Sequence, residues 1–162
     1  MTIQKIYIAS DHAGVKDGNL KRAITQYLVA KGYAVEDLGA FNEASVDYPD
    51  YAHKLAEALR QDATARGILI CGSGQGIAMA ANKHRHIRAA VISANERAVE
   101  LATLARQHND ANVLSFGARF VTPEAAITCT EAFLTTAREA GRHADRVAKI
   151  TPRTTQPQRE PQ

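Results

Sequence analysis

The chain has 162 residues, 45% hydrophobic and 23% charged, with a formal net charge of +3. This is the composition of one soluble globular domain, and the positive balance is too small and too dispersed to argue for nucleic acid, although it suits a phosphorylated small molecule. No apolar run is long enough to cross a membrane, no signal-peptide pattern opens the chain, and two cysteines, Cys71 and Cys129, make no disulfide framework, so a reducing cytoplasm is expected.

Residues 3–9 alternate and then turn apolar, which predicts a first strand. It ends at the polar loop SDHAG. Leu20, Ala23, Ile24, Tyr27 and Leu28 recur at helical spacing, and Gly32 has the position of a residue just past a helix end. Residues 33–38 read as strand two. Residues 39–50 read as a loop that holds Tyr48 and a boundary proline, Pro49. Ala52, Leu55, Ala56 and Leu59 mark a second helix.

The central stretch, residues 67–83, is GILICGSGQGIAMAANK. A short apolar run without charge predicts a strand buried on both faces. Cys71-Gly72-Ser73-Gly74-Gln75-Gly76 follows, and then an Ala-rich, helix-favouring segment. Strand, glycine loop and helix together make an anion site. Glycines allow close backbone approach, and free N–H groups at the helix start point at negative charge. The GxGxG spacing matches neither a dinucleotide fingerprint nor a P-loop. Cys71 reads either as a small apolar residue at a strand end or as a thiolate favoured by its place beside the loop.

Residues 87–93 predict strand four, and residues 95–106 a helix with Asn95 as its N-cap. Residues 112–116 predict strand five, which runs out at Gly117-Ala118-Arg119. Thr122-Pro123-Glu124 opens a further helix, whose buried stripe is Ala126, Cys129, Thr130 and Phe133. Residues 141–150 fit a short basic helix. Residues 151–162 lack apolar side chains other than proline and are expected to form a disordered tail after a single domain of residues 1–150.

Strands alternating with helices predict an α/β chain: a three-layer Rossmann-like fold with a five-stranded parallel sheet and helices on both faces. Ligands bind such sheets at the carboxyl ends of the strands. Asp11, His12, residues 71–76 and Arg119 all fall there. Other polar groups have ordinary readings when taken singly: His108 as a surface histidine, Arg142 and Arg146 as a solvated basic face, His84 and His86 as a polar turn. No CxxC, HExxH or carboxylate cluster proposes a metal, and no cofactor is expected.

SDHAG, DYPDYA, ICGSGQGIAMAANK, RQHNDANVLSFGAR and GRHADRV occur in that order. Together they closely resemble ribose-5-phosphate isomerase B, whose family also includes galactose-6-phosphate isomerase subunits. The resemblance covers residues 3–150 and implies metal-free interconversion of a phosphorylated aldose and ketose through a cis-enediolate. It implies Cys71 as the base between C1 and C2, Ser73 as the hydroxyl beside it, and the amides from Gly72 through Gly74 and Gln75 to Gly76 as the anion hole. His108 resembles the ring-opening residue, and Asp11 and Asn109 resemble holders of sugar hydroxyls. His12, Arg119, Arg142 and Arg146 resemble phosphate ligands, and Tyr48 a pocket-lining residue. It further implies a homodimer or homotetramer whose active site is shared between subunits.

The segment between strand four and His108 looks a few residues longer than in typical ribose-5-phosphate enzymes. A pentose, a tetrulose phosphate and a hexose 6-phosphate therefore all stay open as substrate. His108 favours substrates that arrive as closed rings. The competing readings are a non-catalytic phosphosugar-binding module, which would need neither Cys71 nor His108, and a subunit active only with a paralogous partner.

Overall fold

The computed structural model describes residues 5–93 and 95–152. Five strands, β1 (Lys5–Ser10), β2 (Ala34–Asp37), β3 (Arg66–Cys71), β4 (Ala89–Ile92) and β5 (Val113–Gly117), form one parallel sheet in the order β2-β1-β3-β5-β4. The helices are α1 (Ala13–Lys16), α2 (Leu20–Ala30), α3 (Tyr48–Gln61), α4 (Gln75–Ala81), α5 (Ala98–Gln107), α6 (Pro123–Thr135) and α7 (Arg142–Val147).

Side chains of a strand alternate between faces, and both faces here are covered. Ile6, Ile8, Ile68, Ile70, Leu114 and Phe116 pack with the apolar stripes of α2, α5 and α6. Tyr7, Ala9, Leu69, Cys71 and Val113 pack with those of α3 and α4. This double burial is why the strand before the glycine loop is uniformly apolar. Each fully buried Ile, Leu or Phe contributes roughly 1.5–3 kcal/mol. The three-layer α/β arrangement is the one expected.

Several local signals act as read. Thr122 Oγ1 accepts from Ala125 N at 3.3 Å, with Pro123 as the first residue of α6. After α2, Gly32 at φ 88° lets its own N–H reach Val29 O and Tyr33 N–H reach Leu28 O, a Schellman end. His84 and His86 do occupy a turn, and it is tied to α3 by His53 Nδ1···His84 Nε2 and His86 Nε2···Ala56 O, both 2.8 Å.

Five boundaries differ. Tyr48 is the first residue of α3 and not part of a loop, because proline is tolerated in the first turn, where its missing N–H has no helical partner. Asn95 does not cap α5: its Oδ1 accepts from Arg97 N at 2.8 Å in a turn that precedes the helix. Part of the polar loop after β1 is helical, as α1, with Ala13 N donating to Asp11 Oδ1 at 2.9 Å. Strands two and four are shorter than read. Residues 3–4 of the expected first strand and residues 153–162 of the expected tail lie outside the described residues.

The chain passes from β1 outward to β2 and then returns to place β3 on the other side of β1. The carboxyl ends of β1 and β3 therefore flank a topological switch point, where ligand crevices form in open α/β sheets.

Candidate active site

Cys71 is the last residue of β3 and is 4% exposed. The backbone turns sharply after it. Gly74 adopts φ 77°, and its N–H donates to Cys71 Sγ at 3.1 Å. A β-carbon at Gly74 would stand 2.8 Å from the carbonyl carbon of Phe116, so only glycine fits. The fully buried Ser115 donates its hydroxyl to Gly74 O at 2.7 Å and pins the loop to β5. Ser73 is exposed beside this turn, and its Oγ accepts from Gln75 N at 3.4 Å. The next first-turn amides of α4, those of Gly76 and Ile77, have no acceptor within the helix.

Pairing between β3 and β5 continues past the strands, with Ala118 N donating to Cys71 O and Arg119 N to Gly72 O. This brings Arg119 over the loop: a β-carbon built at Gly72 would stand 3.0 Å from Arg119 Nη1. Arg119 Nε donates to Asp17 Oδ2 at 2.9 Å, while the side chain stays 59% exposed. A β-carbon at Gly76 would stand 2.7 Å from the Tyr48 ring, which walls the loop on its other side.

From the adjoining strand, Asp11 N donates to Ile70 O at 3.1 Å, so the Asp11 carboxylate lies next to the end of β3. Its burial raises the carboxyl pKa, opposed by the Ala13 amide, His12 and Arg119. His12 Nδ1 accepts from Val46 N at 3.3 Å, which leaves Nε2 as the protonated nitrogen of a neutral ring, free to donate to an anion. Asp11, His12, Tyr48, residues 71–76 and Arg119 thus share one edge of the sheet. A hollow of about 460 Å³ adjoins it, lined by Ser73, Gln75, Ser93 and Phe120 among others.

His108, Asn109, Arg142 and Arg146 are not brought to that edge. His108 caps the end of α5, ahead of β5, whose first residue Val113 pairs with Gly67 while its last, Gly117, pairs with Cys71. The strand between spans four steps of roughly 3.3 Å, about 13 Å. At this opposite edge His108 stacks on His143 of α7, and Glu139 Oε2 lies 3.9 Å from His108 Nε2 and 3.5 Å from His143 Nε2. Asn109, Arg142 and Arg146 are exposed.

His108, Glu139 and His143 bring three possible ligand atoms within 4.8 Å of one another. The two imidazole planes are parallel within 2°, with centroids 4.0 Å apart. A ring nitrogen's lone pair lies in its ring plane, so one ion cannot lie in both planes. The pair as stacked does not fit a chelated metal.

Comparison with known proteins decides the family. A model of the Ribose/Galactose Isomerase family matches residues 6–150. The chain belongs to that family. It is 45% identical over 146 residues to a probable ribose-5-phosphate isomerase B of Mycoplasma pneumoniae, covering 90% of this chain and 91% of that one. Among solved structures, ribose-5-phosphate isomerase B of Clostridium thermocellum superposes with a TM-score of 0.84 at 46% identity, over 91% of this chain and 95% of that one. The Mycoplasma genitalium enzyme with bound ribulose 5-phosphate gives 0.84 at 41% identity, over 93% and 95%.

The segment matched by the isomerase family spans both edges of the sheet. Within it the sequence reading left three supports without a role. Asp17 orients Arg119, Ser115 holds the glycine loop, and His143 covers His108. His143, within GRHADRV, and Ser115, within RQHNDANVLSFGAR, lay in motifs already singled out, but without a role, and Asp17 lay in none. Asp17 and Ser115 act across 102 and 41 residues, beyond any local pattern.

Proposed function

We propose that this member of the ribose/galactose isomerase family interconverts an aldose and a ketose phosphate without a metal, with ribose 5-phosphate and ribulose 5-phosphate as the pair. The observation that carries the reading is Cys71 Sγ receiving the Gly74 N–H at the β1/β3 switch point, next to Asp11 and Arg119. An N–H aimed at sulfur stabilises negative charge there. The ribulose 5-phosphate held by the Mycoplasma genitalium relative supports the choice of sugar.

In this reading, His12 and Arg119 bind the phosphate, and Asp11 holds a sugar hydroxyl. The Cys71 thiolate takes the C2 proton of the open aldose, and the electron pair moves to the C1 carbonyl oxygen as the enediolate forms. Amides of the loop and first turn that are not already engaged, among them that of Gly76, receive that oxyanion. Losing one such donor costs about 3–4 kcal/mol of barrier. Ser73 carries the proton from O2 to O1, and Cys71 returns its proton to C1, giving the ketose.

At the Cys71 edge this reading engages His12 with the phosphate and Asp11 with a sugar hydroxyl, so ring opening falls to His108 at the opposite edge. About 13 Å of strand separates the two edges, more than a histidine side chain spans. A second copy docked with its His108 edge against the first copy's Cys71 edge completes the site and adds Arg142 and Arg146 to the phosphate. The active species is then a homodimer or homotetramer.

The test is the purified chain alone with ribose 5-phosphate in deuterium oxide, followed by NMR. Expected are ribulose 5-phosphate, deuterium at C2 of recovered aldose, and a rate unchanged by prolonged EDTA treatment. No turnover of pentose, hexose or tetrulose phosphates overturns the reading, and a loss restored by a divalent cation overturns its metal-free chemistry.

A further inference from the structure

The sheet edge opposite Cys71 gathers more positive charge than it neutralises. Arg106 of α5 is 4% exposed, and its Nη1 donates to Asp110 Oδ1 at 2.8 Å and to Ala111 O at 2.6 Å. Arg88 donates from Nη2 to Asp110 Oδ2 at 2.9 Å and from Nε to Asp110 O at 2.7 Å. Arg138 Nη1 is 4.0 Å from the same Asp110 Oδ2. Arg66, at the start of β3, spends Nη1 on the carbonyls of Ala65 and Thr64. Among the described residues, four guanidinium groups thus converge where one carboxylate answers them.

Two of these groups are only partly satisfied. The Nε atoms of Arg66 and Arg106 are buried and, among the described residues, meet no protein acceptor. Burial, and then the neighbouring Arg106, lowers the pKa of the Arg66 guanidinium. Phe133 covers Arg106, its ring centroid 5.6 Å from the guanidinium carbon. Arg66, Arg106, Asp110 and Arg138 line a cavity of about 740 Å³ together with Tyr33 and Thr135. Buried cations are costly unless paired and hydrogen-bonded.

We infer that this cavity is a second anion site, which takes a small phosphate-bearing molecule. Arginine forks match phosphate oxygens in pairs, and three lining arginines offer more donors than one carboxylate ligand accepts. Arg66 opens β3 and Cys71 ends it, so the site lies about 16 Å along the strand from the catalytic crevice. None of His108, Arg142 and Arg146 lines it. The inference does not rest on the isomerase reading.

The test is calorimetric titration of the full chain with pyrophosphate. Arg66→Gln and Arg138→Gln are each expected to weaken binding about ten- to a hundredfold, the loss of a charged hydrogen bond. Arg119→Gln, at the far edge, should leave this binding in place, and acetate should not compete. Both cavity variants should keep the wild-type kcat/KM for sugar phosphate. Affinity unchanged in both cavity variants overturns the inference, as does binding lost only in Arg119→Gln, which would assign the anion to the catalytic crevice. Arg138 is 67% exposed, so its variant reports binding even if Arg66→Gln fails to fold.

Discussion

The imidazole of His108 lies flat on that of His143, with ring centroids 4.0 Å apart. Two stacked rings at this distance resist carrying charge together. Burial, and then the His108, Arg142 and Arg146 charges, holds the His143 pKa below its ordinary 6.5, with Glu139 opposing. The folded chain therefore binds fewer protons at His143 than the unfolded chain does. The resulting stability is complete above the ordinary value and is lost as pH falls through it toward the depressed one. His143→Asn should flatten the fall in urea midpoint between about pH 7.5 and 5.5, the window of histidine titration. Equal falls in wild type and variant would remove His143 from the cause.

If Cys71 moves the proton between C1 and C2, Cys71→Ala should lower kcat by about 10²–10⁴-fold, the usual contribution of a general base. Phosphosugar affinity should change little, because the phosphate contacts assigned to His12 and Arg119 remain. Cys71→Ser should be nearly as slow, since a serine hydroxyl is too weak a base at neutral pH. Wild-type turnover by the alanine variant would sink the assignment.

The two sheet edges allow a mixing experiment. Cys71→Ala and His108→Asn chains should each be slow on a closed-ring substrate. In a hybrid dimer one site receives both defects and the other neither. Unfolding the two variants together and refolding them should restore roughly a quarter of wild-type activity, as statistical pairing in a two-fold dimer requires. No restoration, with hybrids verified by mass, would mean that the site is not shared.

Ring opening separates His108 from Cys71. His108→Asn should slow ribose 5-phosphate strongly and a tetrulose 4-phosphate far less, because the tetrulose cannot close a furanose through its esterified C4 oxygen. The measurement is kcat/KM for both sugars in wild type and variant, with a contrast on the order of 10²-fold or more. Equal losses would give His108 a role in binding or in the C1/C2 transfer. A wild-type preference for the tetrulose would change the substrate and leave the reaction class standing.

Much of the fold was legible because its signals are local. The period-2 and period-3.6 stripes name the faces that must be buried, and Thr122 and Gly32 end or begin helices through atoms a few residues away. The limits of that reading are local too. Asn95 has the chemistry of a cap, yet its side chain closes a turn ahead of the helix, and Tyr48 opens a helix whose first turn tolerates Pro49.

The sequence by itself determined the alternation of strands and helices, the glycine loop after Cys71, and the ordered motifs that the family match bears out. Only the tertiary structure decided that β5 lies inside β4 and against β3, which puts Arg119 over Gly72 and Ser115 under Gly74. It also set His108 and Cys71 at opposite edges and drew Arg66, Arg88, Arg106 and Arg138 around Asp110. The reason is physical. Burial stripes and caps depend on neighbours within a turn or two, whereas strand order follows from how whole faces cover one another. In a parallel sheet the direction of each strand then assigns its two ends to opposite edges, so residues close in the chain part and distant ones meet.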